Sequence, residues 1–415
     1  LVAYGAQDIY LTGNPQITFF KVVYRRHTNF SMESIEQTLN GTADFGKSVT
    51  ATISRNGDLV HRMYLEHDAA IEASSKDLAV GCDYGSHLMK EMELEIGGQR
   101  IDRHYGHWHS VYSQLTEKNT GGSNTTLYNK MTGNGVGQRS TGASGGGNNG
   151  WSLNDTGDTA TGKFWIPLYF WFCRNPGLAL PLIALQYHEV KVKITFETVA
   201  NLVVADADDT GDFSDGTQIA ATKSSSGNSF KLWADYIYLD TDERRRFAQV
   251  SHEYLIEQLQ FENKTGGTME LNFNHPVKEL IWSGVRPSTP ATAVSLAAGT
   301  DCYQRAKLSN AVSDTFQVKL NGHDRFAARD SRYFTRTQIW EHHTGYGSTE
   351  LADTIAVYSF ALKPEEHQPS GTCNFSRIDN AQLVQTGTDT SVNVYAVNYN
   401  VLRIMSGMGG LAYSN

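Results

Sequence analysis

The sequence predicts an all-β protein built from two related β-domains, and three observations predict it. Segment after segment alternates apolar and polar residues with period two, the signature of strands with one buried face. The chain carries 38 glycines among many Asn, Ser and Thr, which marks numerous turns and long polar loops. Short blocks from the first half recur in the second half in the same order. A chain of 415 residues also exceeds what one hydrophobic core accommodates.

In chain order, the first distinctive stretch is Gly13 to Phe30, "GNPQITFFKVVYRRHTNF", aromatic and basic in a protein whose net charge is -9. Lys21, Arg25, Arg26 and His27 are too few for the dense cationic footprint that phosphate binding favours. The segment reads instead as the lead-in to the first domain, with Phe19, Phe20, Val22 and Val23 available to pack. Next, "EMELEIGG" places Met92, Leu94 and Ile96 on one face and Glu91, Glu93 and Glu95 on the other. "VKVKITFE" repeats the pattern from Val190, and Met269/Leu271/Phe273, Phe316/Val318/Leu320 and the run Ser391 to Ile404 continue it. Glu117 to Lys163 is so rich in Gly, Ser, Asn and Thr that it predicts an exposed loop system outside the core, and Asp206 to Ser229 predicts a shorter one. "FWIPLYFWF" (Phe164 to Phe172) is the most apolar run and is of strand length, far short of the roughly 20 residues that span a bilayer. Near the middle, "DTDERRRFAQ" predicts a short helix capped by Thr241 or Asp242.

The halves on either side of that helix correspond. Ile35-Glu36-Gln37 recurs as Ile256-Glu257-Gln258, and Leu59-Val60 as Leu280-Ile281 at the same offset. "EIGGQRI" (Glu95 to Ile101) matches "KLNGHDRF" (Lys319 to Phe326), and Pro176-Gly177 matches Pro369-Ser370-Gly371. Four ordered matches predict a duplicated β-domain. The expected division is 1–24 as an N-terminal segment, 25–241 as the first domain with the long loop 117–163, 242–252 as a helical connector and 253–415 as the second domain.

Chemical motifs are weak. "GDTATGKF" nearly spells a phosphate-binding loop, but Phe164 stands where a magnesium-holding Ser or Thr belongs, and an aromatic strand follows instead of a helix. His104, His107 and His109 form one histidine group, and Glu341, His342 and His343 another. On a strand His107 and His109 would share a face, yet lining a loop or subunit contact is the simpler reading. The cysteines at 82, 173, 302 and 373 lie far apart, which argues against a zinc site or a disulfide framework and for reducing surroundings. No cysteine stands beside a plausible histidine and asparagine signature. No catalytic residue, cofactor or metal is therefore assigned, and the chain is expected not to be an enzyme. Sequons occur at Asn29, Asn40, Asn124, Asn154, Asn263 and Asn374. Asn124 and Asn154, in the long loop, are the candidate glycosylation sites.

Several long blocks carry a family resemblance: the opening thirty residues, "ISRNGDLV" (Ile53 to Val60), "ELEIGGQRID" (Glu93 to Asp102), "NPGLALPLIALQYHEVK" (Asn175 to Lys191), "RRFAQVSHEYLIEQLQF" (Arg245 to Phe261), "QPSGTCNFSRIDNAQL" (Gln368 to Leu383) and "NYNVLRIMSGMGGLAYSN" (Asn398 to Asn415). They resemble the major capsid proteins of nucleocytoplasmic large DNA viruses, particularly those of algae. That resemblance implies two consecutive eight-stranded jelly-roll sandwiches with short connecting helices and long surface loops. It implies a homotrimer whose six jelly rolls form a pseudo-hexagonal capsomer tiling an icosahedral shell, with minor capsid and penton proteins and an internal viral membrane as neighbours. It also implies location in the outer capsid of the virion, assembly in the host-cell cytoplasm, and an N-terminal segment on the inner side. Lys21, Arg25 and Arg26 are then candidate inner-face contacts, with no sequence-specific nucleic-acid binding. Trimer contacts should be large and apolar, and contacts between trimers smaller and more polar. The alternative is a two-domain carbohydrate-binding protein, since jelly rolls also serve as lectins. A glycoside hydrolase would need two carboxylates at hydrolytic separation, which no motif marks.

Overall fold

A computed structural model describes residues 5–73, 78–118, 126–135, 138–139, 151–153, 159–206, 218–285, 308, 313–347, 353–387 and 391–413. The principal strands fall into two sets of eight. In the first half these are β1 (Phe30–Gln37), β2 (Ser48–Thr52), β3 (Leu59–Glu72), β4 (Met89–Ile96), β5 (Gln99–Tyr105), β6 (Thr159–Pro167), β7 (Val190–Phe196) and β8 (Ser229–Leu239). In the second they are β9 (His252–Lys264), β10 (Thr268–Leu271), β11 (Pro276–Gly284), β12 (Thr315–Leu320), β13 (His323–Asp324), β14 (Ile355–Ser359), β15 (Ala381–Thr386) and β16 (Val392–Met405).

Their pairing gives the same topology twice. The first half forms a sheet in the order β1-β8-β3-β6 facing another in the order β2-β7-β4-β5; the second forms β9-β16-β11-β14 facing β10-β15-β12-β13. In each half the last strand lies beside the first, the closure of a jelly roll. Three of the matched blocks occupy equivalent places. Ile35-Glu36-Gln37 ends β1 and Ile256-Glu257-Gln258 lies in β9, each an edge strand paired antiparallel to the last strand of its half. Leu59-Val60 and Leu280-Ile281 lie in the third strands. The hairpins β4–β5 and β12–β13 turn through Gly97-Gly98 and Asn321-Gly322, all four residues at positive φ between 52° and 85°. Both turn pairs have the backbone that matches strand twist in a two-residue hairpin.

Each sandwich has its own apolar core: Leu65, Leu94, Phe164, Val192 and Leu232 in the first, Trp282, Phe316, Phe334, Leu383 and Val394 in the second. Between them lies α1 (Gly106–Thr116), whose Trp108, Val111 and Leu115 pack on Ile281, Ile355, Val357, Tyr395 and Val397.

Several sequence expectations change. The 117–163 region is not wholly external. It contains α2 (Leu127–Thr132), with Tyr128, Asn129 and Thr132 buried, and Trp151 is inserted against Tyr84 and Phe164 at ring separations of 4.6 and 4.9 Å. Low apolar density hid a few aromatic anchors. Four short strands from inter-strand connections (Leu78–Val80, Gln138–Arg139, Val203–Asp206, Gln218–Ala220) form a sheet of their own. "FWIPLYFWF" is not one strand: β6 ends at Pro167, and α3 (Trp171–Arg174) follows. The central helix, α4 (Thr241–Gln249), is capped by Asp240, whose carboxylate accepts from Thr241 N at 2.8 Å. Capping belongs to the last extended residue, one position before the expected pair.

Candidate assembly surfaces

The N-terminal segment leaves a run of large apolar side chains in water, among them Ile17, Phe19, Phe20, Val22, Val23 and Tyr24. No helix or strand lies between Gly13 and Asn29, and the first strand begins at Phe30. Phe19, Phe20, Val22 and Val23 were expected to pack at the start of the first domain; they are 87%, 99%, 71% and 79% exposed. Within one chain nothing covers them, because β1 is an edge strand that starts beyond them. Lys21, Arg25 and Arg26 are exposed and make no ion pair with any described residue. With these three cations set aside, the remainder of the chain is more acidic than its net -9. Asn124 and Asn154 lie outside the described residues.

The histidine groups are structural. His107 and His109 lie on a helix, not a strand, and point to different partners. His107 Nδ1 is 2.7 Å from the Tyr395 hydroxyl, and His109 bridges Ser86 Oγ and the Pro167 carbonyl at 2.7 Å each. Burial pushes His109 down to about 4, so it stays neutral in these bonds. His104 pairs with Asp102 at 2.9 Å. Among the described residues no group of three or more His, Cys, Asp or Glu is arranged to hold a metal. Lys163, the lysine of the near phosphate-loop motif, lies in β6 and pairs with Glu66 at 2.8 Å.

The seam between the halves carries charge that the sequence reading did not find. Glu257, on β9, is 2.9 Å from Arg174 of α3 and 2.8 Å from Lys278 of β11. Lys278 is 1% exposed and also donates to the Pro364 carbonyl at 2.6 Å. Arg174 donates to the Tyr112 hydroxyl at 3.1 Å and lies over that ring. Burial pushes the Glu257 carboxyl upward, but Arg174 and Lys278 outweigh it and hold it below the ordinary range. The available signal was Lys278 itself, a lone cation inside the apolar run "PVKELIW".

A second buried charged cluster lies beside it, within the second half. His343, at the end of α5 (Gln338–His342), places Nε2 3.0 Å from Glu279 and Nδ1 3.1 Å from Glu365. Burial alone would lower its pKa; the two carboxylates overcome burial and raise it to about 9, so the imidazolium is the neutral-pH form. The following residues zip onto the first half. Gly345 N donates to Leu115 O at 2.8 Å and Gly347 N to Gln114 O at 2.9 Å. A Cβ on Gly345 would lie 2.4 Å from Gln114 O, so only glycine permits this approach. At the connector, Asp58 of the first half accepts two bonds from Arg244 of α4, at 2.9 and 3.1 Å.

A family model described as "Major capsid protein N-terminus" matches residues 18–240, and one described as "Large eukaryotic DNA virus major capsid protein" matches residues 243–410. The chain belongs to the major capsid protein family of large eukaryotic DNA viruses. Its role is that of a structural capsid component. It is 51% identical to the major capsid protein of Pyramimonas orientalis virus, over 100% of this chain and 98% of the relative. It is 42% identical to that of Paramecium bursaria Chlorella virus 1, over 100% and 98%. Among solved structures, the quasi-atomic model of the PBCV-1 virus capsid matches with TM-score 0.76 and 38% identity, covering 96% of this chain and 100% of that one. The Faustovirus major capsid protein shares the fold at TM-score 0.66 and 15% identity, covering 97% and 94%. Family membership decides against the lectin alternative.

Proposed function

We propose that the chain is the building block of an icosahedral shell, acting as a homotrimer whose six jelly rolls form a pseudo-hexagonal capsomer. The observation that carries this reading is the doubled topology held by a buried, charged seam. Two like sandwiches fixed at one angle let a threefold object present six similar sides. The units are the N-terminal segment 1–24, the sandwiches 25–241 and 253–415, and the connector 242–252. The work is assembly, not catalysis, and takes place in the host-cell cytoplasm before the protein resides in the outer capsid. The N-terminal segment faces the particle interior. There Lys21, Arg25 and Arg26 meet neighbouring subunits, minor capsid or penton proteins, or anionic headgroups of an internal membrane. No sequence-specific nucleic-acid contact is involved. Asn124 and Asn154 are proposed glycan sites on outward loops.

Light scattering on the purified protein should report a trimer at low concentration; a stable monomer would overturn the reading. Arg25→Gln/Arg26→Gln should change folding stability by no more than about 0.5 kcal/mol, because both side chains are exposed and unpaired. The same variant should form trimers but few complete shells by electron microscopy, and normal shells would remove the inner-face role.

A further inference from the structure

The two sandwiches repeat down to the register of their sheets. In each, the third strand bulges against the last: Val60 pairs with Tyr236 and Tyr64 with Trp233 in the first, Val277 with Asn398 and Ile281 with Tyr395 in the second. Four steps along the third strand (Val60 to Tyr64, Val277 to Ile281) oppose three along the last (Tyr236 to Trp233, Asn398 to Tyr395) in both. Tyr64 thus corresponds to Ile281 and Trp233 to Tyr395. On the neighbouring strand, Pro167 pairs with Tyr64 and Trp165 with Glu66, as Val357 pairs with Ile281 and Ile355 with Ser283. The outer face of the second sheet, Ile281, Ile355, Val357 and Tyr395, is wholly buried under Trp108, Val111 and Leu115 of α1. Its counterpart in the first sheet is open. Tyr64, Pro167 and Trp233 are half-buried and Trp165 is 41% exposed. Tyr64 and Pro167 also line a cavity of about 530 Å³ together with Tyr112 and Thr116 of α1, so there is room above this face.

The helix that covers the second face has a counterpart too. α1 follows the hairpin β4–β5 through Asp102-x-x-Tyr105; the helical turn Tyr333–Thr337, continued by α5, follows the hairpin β12–β13 through Asp330-x-x-Tyr333. Each is tied to the end of the same strand of its own sandwich. His109 Nε2 is 2.7 Å from the Pro167 carbonyl at the end of β6, and Gln338 Oε1 accepts from Ser359 N at 3.2 Å at the end of β14. α1 presents its apolar side to the other sandwich. In α5, Ile339 is buried at the seam, whereas Trp340 beside it is 82% exposed. One chain therefore carries an aromatic sheet face without its covering helix, and a helix with an exposed tryptophan without its sheet. Tryptophan and tyrosine are the side chains that most often anchor a buried interface. We propose that α5 of one copy packs on the Tyr64–Trp165–Trp233 face of the next copy, repeating between chains the contact that α1 makes within one. Such a junction is head-to-tail, the kind that closes into a ring when its rotation permits. This rests on the trimer reading above and adds to it the two surfaces that meet.

The test uses the full chain. Trp340→Glu and Trp165→Glu should each lower the trimer fraction about tenfold by light scattering at fixed concentration. Both should keep the far-ultraviolet circular dichroism of the parent, since these side chains are exposed in the single chain. A cross-link then reads the contact with both tryptophans in place. One tagged chain carries Glu341→Cys, beside Trp340; a second, differently tagged chain carries Lys231→Cys, in the row Lys231–Glu66–Trp165. Mixed before assembly and treated with a short bis-maleimide, the two chains should be joined between these positions, as mapped by mass spectrometry. A trimer in which that link is missing, or forms only within single chains, would overturn the contact while leaving the trimer reading intact. Trimers undiminished in both glutamate variants would overturn it as well. A parent protein that is monomeric would overturn the trimer reading, and this contact with it.

Discussion

Glu36 and Glu257 occupy the same place in the repeated block, one residue before the glutamine, on the first strand of each sandwich. Their surroundings differ completely. The Glu36 side chain is 47% exposed and 3.7 Å from an equally exposed Lys231. The Glu257 side chain is 6% exposed and is held between Arg174 and Lys278. The first sheet turns its polar face to solvent, whereas the equivalent face of the second is covered by α3 and the end of β5 of the first half. Duplication thus supplied a surface glutamate twice, and docking of the two units turned one copy into a buried counter-ion. Salt bridges of the first kind contribute little to stability; those of the second are costly to break from one side.

The sharpest way to break the comparison is to neutralise each glutamate. Glu257→Gln leaves Arg174 and Lys278 in a low-dielectric seam without their carboxylate and should destabilise the protein by about 3–5 kcal/mol in urea unfolding. Glu36→Gln should stay within about 0.5 kcal/mol. Equal effects would mean that the seam is open to water in solution.

His343 sharpens it next through pH. Its folded pKa, about 9, lies above the ordinary value of 6.5. Protonation therefore favours the folded state, and this contribution is fully present below pH 6.5 and lost as pH rises through 9. At one unit per 1.36 kcal/mol it amounts to about 3 kcal/mol. His343→Gln should flatten the stability profile between pH 6.5 and 9; an unchanged profile would assign the titration elsewhere.

Much of this was legible in the sequence because it follows from periodicity and repetition. The alternation in "EMELEIGG" and "VKVKITFE" became β4 and β7 with the expected inward faces. Three of the four repeated blocks fell on equivalent strands and hairpins, while the fourth is a 3-10 turn at Pro176–Leu178 and irregular chain at Pro369-Ser370-Gly371. What stayed hidden depends on a neighbour that no local pattern contains. Glu257 reads as the wet side of an alternating strand, and only the other sandwich makes it buried. Trp151 and Tyr128 sit in a stretch whose average composition says loop, while two rings decide the packing. The N-terminal aromatics read as core for the opposite reason, since apolar residues predict burial without saying in which chain. Nor does glycine-rich sequence reveal that Gly345 is needed for contact with α1.

That contact gives the third perturbation. Gly345→Ala would drive a Cβ into the backbone of Gln114 and Leu115. It should cost about 2 kcal/mol and raise protease sensitivity at the seam before either core unfolds. Simultaneous loss of both sandwiches would instead make the seam inseparable from the cores.

The connector should give the smallest effect and the finest test of coupling. Asp240 caps α4 through Thr241 N, and removing a cap costs about 1 kcal/mol. Asp58 and Arg244 still tie the helix to the first sandwich after Asp240→Ala, so the helix should fray at its start without detaching. If α4 only links two units already locked by the seam, the variant's unfolding should remain a single transition, shifted by a few degrees at most. If the helix sets the angle between the sandwiches, the same small loss should split the transition in two. The exposed helix buries no residue of its own, which favours the first outcome: orientation resides in the Glu257–Arg174 pair and the Gly345 contact, and the connector follows.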